Sequence, residues 1–207
     1  MKRIYLTAVP LESNFVLEHK RVCPVGFALP GAPEQAAYPI TPVIAATAEP
    51  GDDVLVITVR QTNAARNANM DILRAELDAL GLQRLRFKDL VMPESQDRDV
   101  LTDLFRMLIE AAEPDACYYA CMTFGTKTFP IVLFSALSYV DKIVPETEIK
   151  GIYYQQIRRE RGVTADAQLY DVSSLFLLNS VVDTVAAIDG TDPAALIAAL
   201  LGGRSDG

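Results

Sequence analysis

The densest grouping of residues able to do chemistry is Thr123-Phe124-Gly125-Thr126-Lys127-Thr128-Phe129-Pro130. Pro130 fits only the first turn of a helix, and Phe129 before it is pushed away from helical angles, so a helix begins near Thr128 or Phe129. Gly125, three threonines and Lys127 then form the loop at that helix's N-terminus. Unpaired backbone N–H groups, hydroxyl donors and a cation in one turn make an anion site suited to phosphate. A glycine turn with threonine caps and a solvated lysine fits the same local pattern, and both interpretations stay open at this point.

Other polar residues follow predicted strands. The first strand runs out into Thr7, Ala8, Val9 and Pro10, the second into Arg60, Gln61, Thr62 and Asn63, and the fifth into Gln155 and Gln156. In an open α/β sheet, ligands bind outside the carboxyl ends of the strands, so these residues share one rim with the Gly125 loop. Amide side chains can read base edges and arginine can pair bidentately with phosphate. The sequence has no G-x-G-x-x-G after a strand, no G-x-x-x-x-G-K and no G-x-S-x-G. His19 is the only histidine and lies between Glu18 and Lys20, as a solvated residue would, which leaves zinc hydrolase sites and Ser-His-Asp triads without their parts. Asp141, Glu148 and Lys150 resemble a metal-nuclease set, but Glu148 and Lys150 enter a strand at the edge opposite this rim.

The elements that must position these groups follow from periodicity. Strand-length apolar runs at Ile4 to Val9, Val54 to Val59, Arg84 to Val91, Ala116 to Met122 and Lys150 to Gln156 alternate with helical patterns. The helices are expected at about Thr41 to Ala48, Asn67 to Leu80, Ser95 to Ala112 and Pro130 to Val140, with Asp171 to Ile188 and a short one after Asp192-Pro193. The fold class is α/β, a Rossmann-like, mostly parallel sheet with helices on both faces. Residues 11 to 39, with four prolines and short apolar pieces, read as a β-hairpin insertion after the first strand. The organisation is one domain over 1 to 188, followed by a short helix and tail over 189 to 207. The helix from Pro130, apolar on nearly every face, is expected to be buried.

Composition narrows the partners. The 207 residues are 50% apolar and 22% charged, with 19 Lys and Arg against 27 Asp and Glu, a net charge of −8. That sign repels bulk DNA, RNA and anionic membranes. Cys23, Cys117 and Cys121 form no disulfide framework, and no apolar run reaches the roughly 18 residues of a membrane span, so a cytoplasmic location is expected.

On the segment Thr123 to Pro130 and the all-apolar helix behind it, the chain resembles the CRISPR-associated Rossmann fold (CARF) family. In that family a strand ends in a Thr-x-Gly-[Thr or Phe]-[Lys or Arg] loop and a proline soon begins the next helix. Thr58 to Asn63, Ile152 to Tyr154 and Asp171 to Ser173 fit as well, and the resemblance covers about residues 1 to 187. One departure is Cys121, where members often carry an acidic residue.

The resemblance implies a domain that binds cyclic oligoadenylate, the second messenger of type III CRISPR antiviral defence. Lys127 and the amides from Gly125 to Thr128 would hold phosphate or ribose oxygens, with Thr123, Thr126 and Thr128 in the same loop. Gln61, Asn63 and the loop after Val9 would contact adenine or ribose, with Arg60, Thr62 and Gln155 nearby. It further implies a two-fold homodimer across the ring, no metal or other cofactor, and an effector on a separate chain. With His19 as the sole histidine an R-x(4 to 6)-H ribonuclease motif is not formed, and about 20 residues past Ile188 cannot form a winged helix. Three functions remain: a stand-alone sensor; a metal-independent ring nuclease; or a generic nucleotide-binding α/β protein. In the nuclease a ribose 2′-hydroxyl attacks its adjacent phosphodiester, with Lys127 as the catalytic cation, leaving linear products with a 2′,3′-cyclic phosphate.

Overall fold

A computed structural model describes residues 1–11, 16–61, 67–160, 163–188 and 192–201. The chain runs β1 (Lys2–Ala8), β2 (Lys20–Val25), β3 (Gln35–Ala36), α1 (Ile40–Thr47), β4 (Asp53–Gln61), α2 (Ala68–Ala79), β5 (Leu85–Met92), α3 (Arg98–Glu110), β6 (Ala116–Cys121), α4 (Phe129–Ile143), β7 (Thr147–Glu160), β8 (Val163–Asp171), α5 (Ser173–Ala186) and α6 (Pro193–Leu201). It divides into two compact units, Met1–Asp171 and Val172–Gly207.

The first unit is α/β and Rossmann-like. Its single sheet has the order β3-β2-β8-β7-β6-β1-β4-β5. β5, β4, β1, β6 and β7 are parallel neighbours in that sequence. The central strands are the most apolar because helices cover both faces: every residue of β6, and Val54 to Val59 of β4, is buried. Alternate side chains divide the core. Tyr5, Val54, Val56, Tyr119 and Cys121 pack with Ile40, Val43 and Ile44 of α1 and Met70, Leu73 and Leu77 of α2. Ile4, Leu6, Leu55, Ile57 and Ala120 point the other way, to the side of α3 and α4.

Local signals set the helix ends. Asn67 accepts from the Asn69 N–H at 2.9 Å and Asp97 from the Val100 N–H at 3.0 Å, so each closes a free donor at its helix start. Gly81, at φ +63°, receives the chain after α2. α1 has no side-chain cap of its own. Instead, buried Glu76 of α2 accepts from the Ala37 N–H and the Thr41 hydroxyl, both at 2.5 Å, with His19 Nε2 at 3.2 Å. This carboxylate ties the insertion to α2, and His19, though more than half exposed, is part of that tie.

Three expectations are amended. The strand foreseen at Lys150 to Gln156 is twice as long, Thr147–Glu160, because its continuation pairs with the strand that follows. It turns back into β8, antiparallel, which sequence patterning did not single out. β2 of the insertion then pairs parallel with β8 and antiparallel with β3, so the hairpin extends the main sheet. Finally, α4 buries only one stripe, Phe129, Val132, Leu133, Ala136, Leu137 and Val140, and leaves Ile131 68% exposed.

The second unit consists of α5 and α6 packed on each other. Asp192 opens α6, accepting from the Ala194 N–H at 3.0 Å, and Pro193 takes the first helical position as its fixed φ favours. No helix among the described residues is long and apolar enough to cross a membrane.

Candidate ligand-binding site

After β1 the chain forms β2 and β3 at the far edge of the sheet, then lays β4 and β5 on one side of β1 and returns to β6 on its other side. The loops leaving β1 and β6 therefore part, and a crevice opens outside their carboxyl ends. It measures about 310 Å³ and is lined by four loops. Ala8, Val9, Pro10 and Leu11 follow β1; Val59, Arg60 and Gln61 end β4; Met92 ends β5; and Thr123 to Thr126, with Phe129, follow β6.

Each wall is held from behind. The Val9 N–H donates to the Val59 carbonyl at 2.9 Å. The Pro10 carbonyl accepts from the side-chain amides of Asn67 and Asn69, at 3.3 and 3.1 Å, so the start of α2 fixes the loop after β1. On the other wall, the Thr123 hydroxyl accepts from the Gln155 N–H at 2.8 Å and lies 3.2 Å from the Cys121 sulfur. Phe124 turns away from strand geometry to meet Tyr38 edge-on, with ring centroids 5.5 Å apart.

Gly125 makes the close approach possible. Its φ is +103°, which disfavours any side chain. A Cβ there would stand 3.0 Å from Phe129 Cδ1 and 3.1 Å from the Ala8 Cβ. Only glycine lets this loop lie against the end of β1. The Phe129 N–H then bonds the Thr126 carbonyl at 3.1 Å, and those of Ile131 and Val132 bond the Thr128 carbonyl. The hydroxyls of Thr126 and Thr128 are 3.0 Å apart, and Thr128 donates to Gln96 Oε1 at 3.0 Å. No acceptor among the described residues takes the backbone N–H of Gly125, Thr126, Lys127 or Thr128. These are the free donors expected where a helix begins.

Arg60 is the only charged side chain lining the crevice among the described residues. Its Nε donates to Asp89 Oδ2 at 2.6 Å, and Asp89 Oδ1 accepts from the Thr58 hydroxyl at 3.0 Å. Burial pushes the Cys121 thiol pKa up, against hydrogen bonds with Thr123 that pull it down, so the group stays a neutral core residue. A fully buried position between β-sheet and helices suits a thiol better than an ionised carboxylate.

Of the residues singled out by sequence, Ala8, Val9, Pro10, Arg60, Gln61, Thr123, Gly125 and Thr126 meet at this crevice. Thr128 supports its rim. Lys127 is exposed and stands outside the lining, so the cation within the crevice is Arg60. Gln155 does not line it either: the side chain is buried, its Oε1 has no hydrogen-bond partner among the described residues, and its role here is the backbone bond to Thr123. Thr62 and Asn63 lie outside the described residues. Sequence reasoning passed over Leu11, Met92, Phe124 and Phe129 as walls, and Asp89 behind Arg60. The two phenylalanines flanking Gly125 were a usable signal; Asp89 becomes visible only through the strand register that sets it opposite Thr58. Among the described residues, no three His, Cys, Asp or Glu side chains group as a metal site requires. No protein-family model matches the chain, and no curated protein matches it.

Proposed function

We propose that this crevice binds the nucleotide units of a cyclic oligoadenylate, and that the chain acts as a stand-alone sensor of that messenger in the cytoplasm of a cell with type III CRISPR defence. The observation that carries the reading is the Gly125-Thr126 loop, at the point where the strand order reverses, with four amides at the start of α4 that no acceptor among the described residues takes. Such a turn receives phosphate oxygens. Arg60 adds a charged donor from β4, and Phe124, Phe129 and Met92 supply the apolar surface an adenine needs.

Size supports a shared site. About 310 Å³ is at the lower end of the range of about 300 to 1,000 Å³ for small-molecule sites, room for one nucleotide and not for a macrocycle of four or six. The rest of a ring would extend over the rim, where Lys127 is exposed, and onto a second copy of the chain related by a two-fold axis. The net charge of −8 does not oppose this, because the fixed donors act at contact distance while distant charge is screened beyond about 8 Å.

The test is to incubate the purified protein with radiolabelled cyclic tetra- and hexa-adenylate, without metal, and to measure filter retention beside a product gel. Retention of an intact ring is expected. Linear products with a 2′,3′-cyclic phosphate would make the protein a ring nuclease, and retention of neither ring would sink the proposal.

A further inference from the structure

Among the described residues the crevice presents a single cation, and that cation is already matched. Asp89 holds Arg60 by Nε, and the buried hydroxyl of Thr58 holds the other oxygen of Asp89. The register explains the triad: Thr58 lies opposite Asp89 across β4 and β5, and Arg60 follows two residues later on the same face. The arrangement fixes the guanidinium plane and leaves its two terminal nitrogens without a partner among the described residues. Arginine's donors form a rigid fork, so anchoring one edge orients the rest. The pair as a whole is neutral.

We infer that Asp89 is a specificity-determining residue, which makes the crevice prefer a phosphodiester over a terminal phosphate. This rests on the reading of the crevice as a nucleotide site. A phosphodiester carries one negative charge, whereas a phosphomonoester carries about 1.5 to 2 at neutral pH. Donors without net charge serve both anions as hydrogen-bond partners. The second charge of a monoester finds no further countercharge among the described residues of the crevice and stands close to the Asp89 carboxylate, which repels it. Asp89 thus gives up electrostatic attraction in exchange for orientation and for rejection of the more charged ligand.

Two probes of the same base and sugar test this, 3′,5′-cyclic AMP and 5′-AMP, titrated calorimetrically into the wild-type chain and into Asp89→Asn. The variant keeps a side-chain oxygen for Arg60 Nε and removes the charge. At pH 7.5 the wild type is expected to bind the diester about tenfold more tightly, and Asp89→Asn to bring the ratio near one. Repeating the wild-type titrations at pH 5, below the second phosphate pKa of about 6, makes the monoester singly charged and should shrink the same ratio without any variant. Among the described residues Arg60 is the only charged side chain lining the crevice, so the ratio reads the second ionisation of the ligand's phosphate. Equal or tighter binding of 5′-AMP by the wild type, or a ratio unchanged in Asp89→Asn and at pH 5, would overturn the inference. So would failure of both probes together with failure of cyclic tetra-adenylate and its linear 5′-phosphorylated form. Discrimination between the mononucleotides without ring retention would sink the sensor reading and leave this inference standing.

Discussion

The two ends of the sheet handle charge in opposite ways. At the amino end nearly every ionised side chain has a partner. Arg3 bonds Asp52, lies 3.3 Å from Glu49 Oε1 and reaches the Tyr119 hydroxyl at 3.2 Å. Arg86 holds both Asp53 and Glu113, Lys2 joins Glu113 at 3.2 Å, and Lys150 meets Glu148 at 2.6 Å. At the carboxyl end there is the Arg60–Asp89 pair, a glycine at positive φ and a turn of amides with no acceptor among the described residues. The first end stabilises the fold with its polar groups. The second keeps donors in reserve, the arrangement expected of a surface that receives a ligand.

That contrast predicts which substitutions cost binding and which cost stability. Gly125→Val should do the most damage. A β-branched side chain at φ +103°, within 3.1 Å of Ala8 and Phe129, forces the loop off the end of β1. Retention of cyclic tetra-adenylate should fall by more than about 100-fold, beyond what a lower melting temperature explains.

Arg3→Ala should act in the reverse sense. It takes from buried Asp52 one of its two cations, the other being the amino-terminal ammonium at 2.9 Å, and urea titration should show a loss of about 2 kcal/mol, with ring affinity in the folded protein unchanged. Acid sharpens the point. Burial raises the Asp52 pKa, but hydrogen bonds from the amino terminus, the Glu49 N–H and Arg3 outweigh it and hold the carboxyl at about 2, against 3.8 in its ordinary state. A folded-state pKa below the unfolded one gives stability that is complete above about pH 4 and lost as pH falls toward 2. Acid unfolding should follow that window in the wild type and be shallower in Arg3→Ala.

Arg60→Ala should weaken the ring by about 10- to 30-fold, the cost of one charged hydrogen-bonding group, and change stability by under about 1 kcal/mol, since the pair with Asp89 is partly exposed. The smallest effect is expected for Lys127→Ala. Its side chain is exposed outside the crevice, so 5′-AMP binding should stay within about threefold, while a ring that extends over the rim should lose about fivefold. A larger loss with 5′-AMP from Lys127→Ala than from Arg60→Ala would move the cation of the site from the crevice to its rim.

The contrast between the ends was partly readable before any coordinates. Alternating apolar runs placed the strands, and with them the rim on which Ala8, Arg60, Gly125 and Thr126 meet, because parallel strands send all their carboxyl ends to one edge. Pro130 and Gly125 marked the turn at α4 through backbone restrictions that belong to the residues themselves. Pairings between distant segments were not readable. β8 carries Asp166 and Gln168 among its apolar residues, so periodicity does not single it out, and only its pairing with β7 and β2 on either side defines it. Asp89 gave no signal because its partner is set by register. The place of Lys127, exposed outside the lining, was hidden for a related reason: charge and position in a motif identify a residue near the site, whereas which side of the turn it occupies depends on how the loop leans on Ala8.

The central claim, that the ligand is received at the carboxyl edge between β1 and β6, is tested most directly by hydrogen–deuterium exchange with and without cyclic tetra-adenylate. Slower exchange confined to 8–11 and 123–129, with Lys2, Arg3 and the Asp52–Asp53 turn unchanged, is the expected outcome. Unaltered exchange in 123–129, or protection centred on the amino edge, would contradict it.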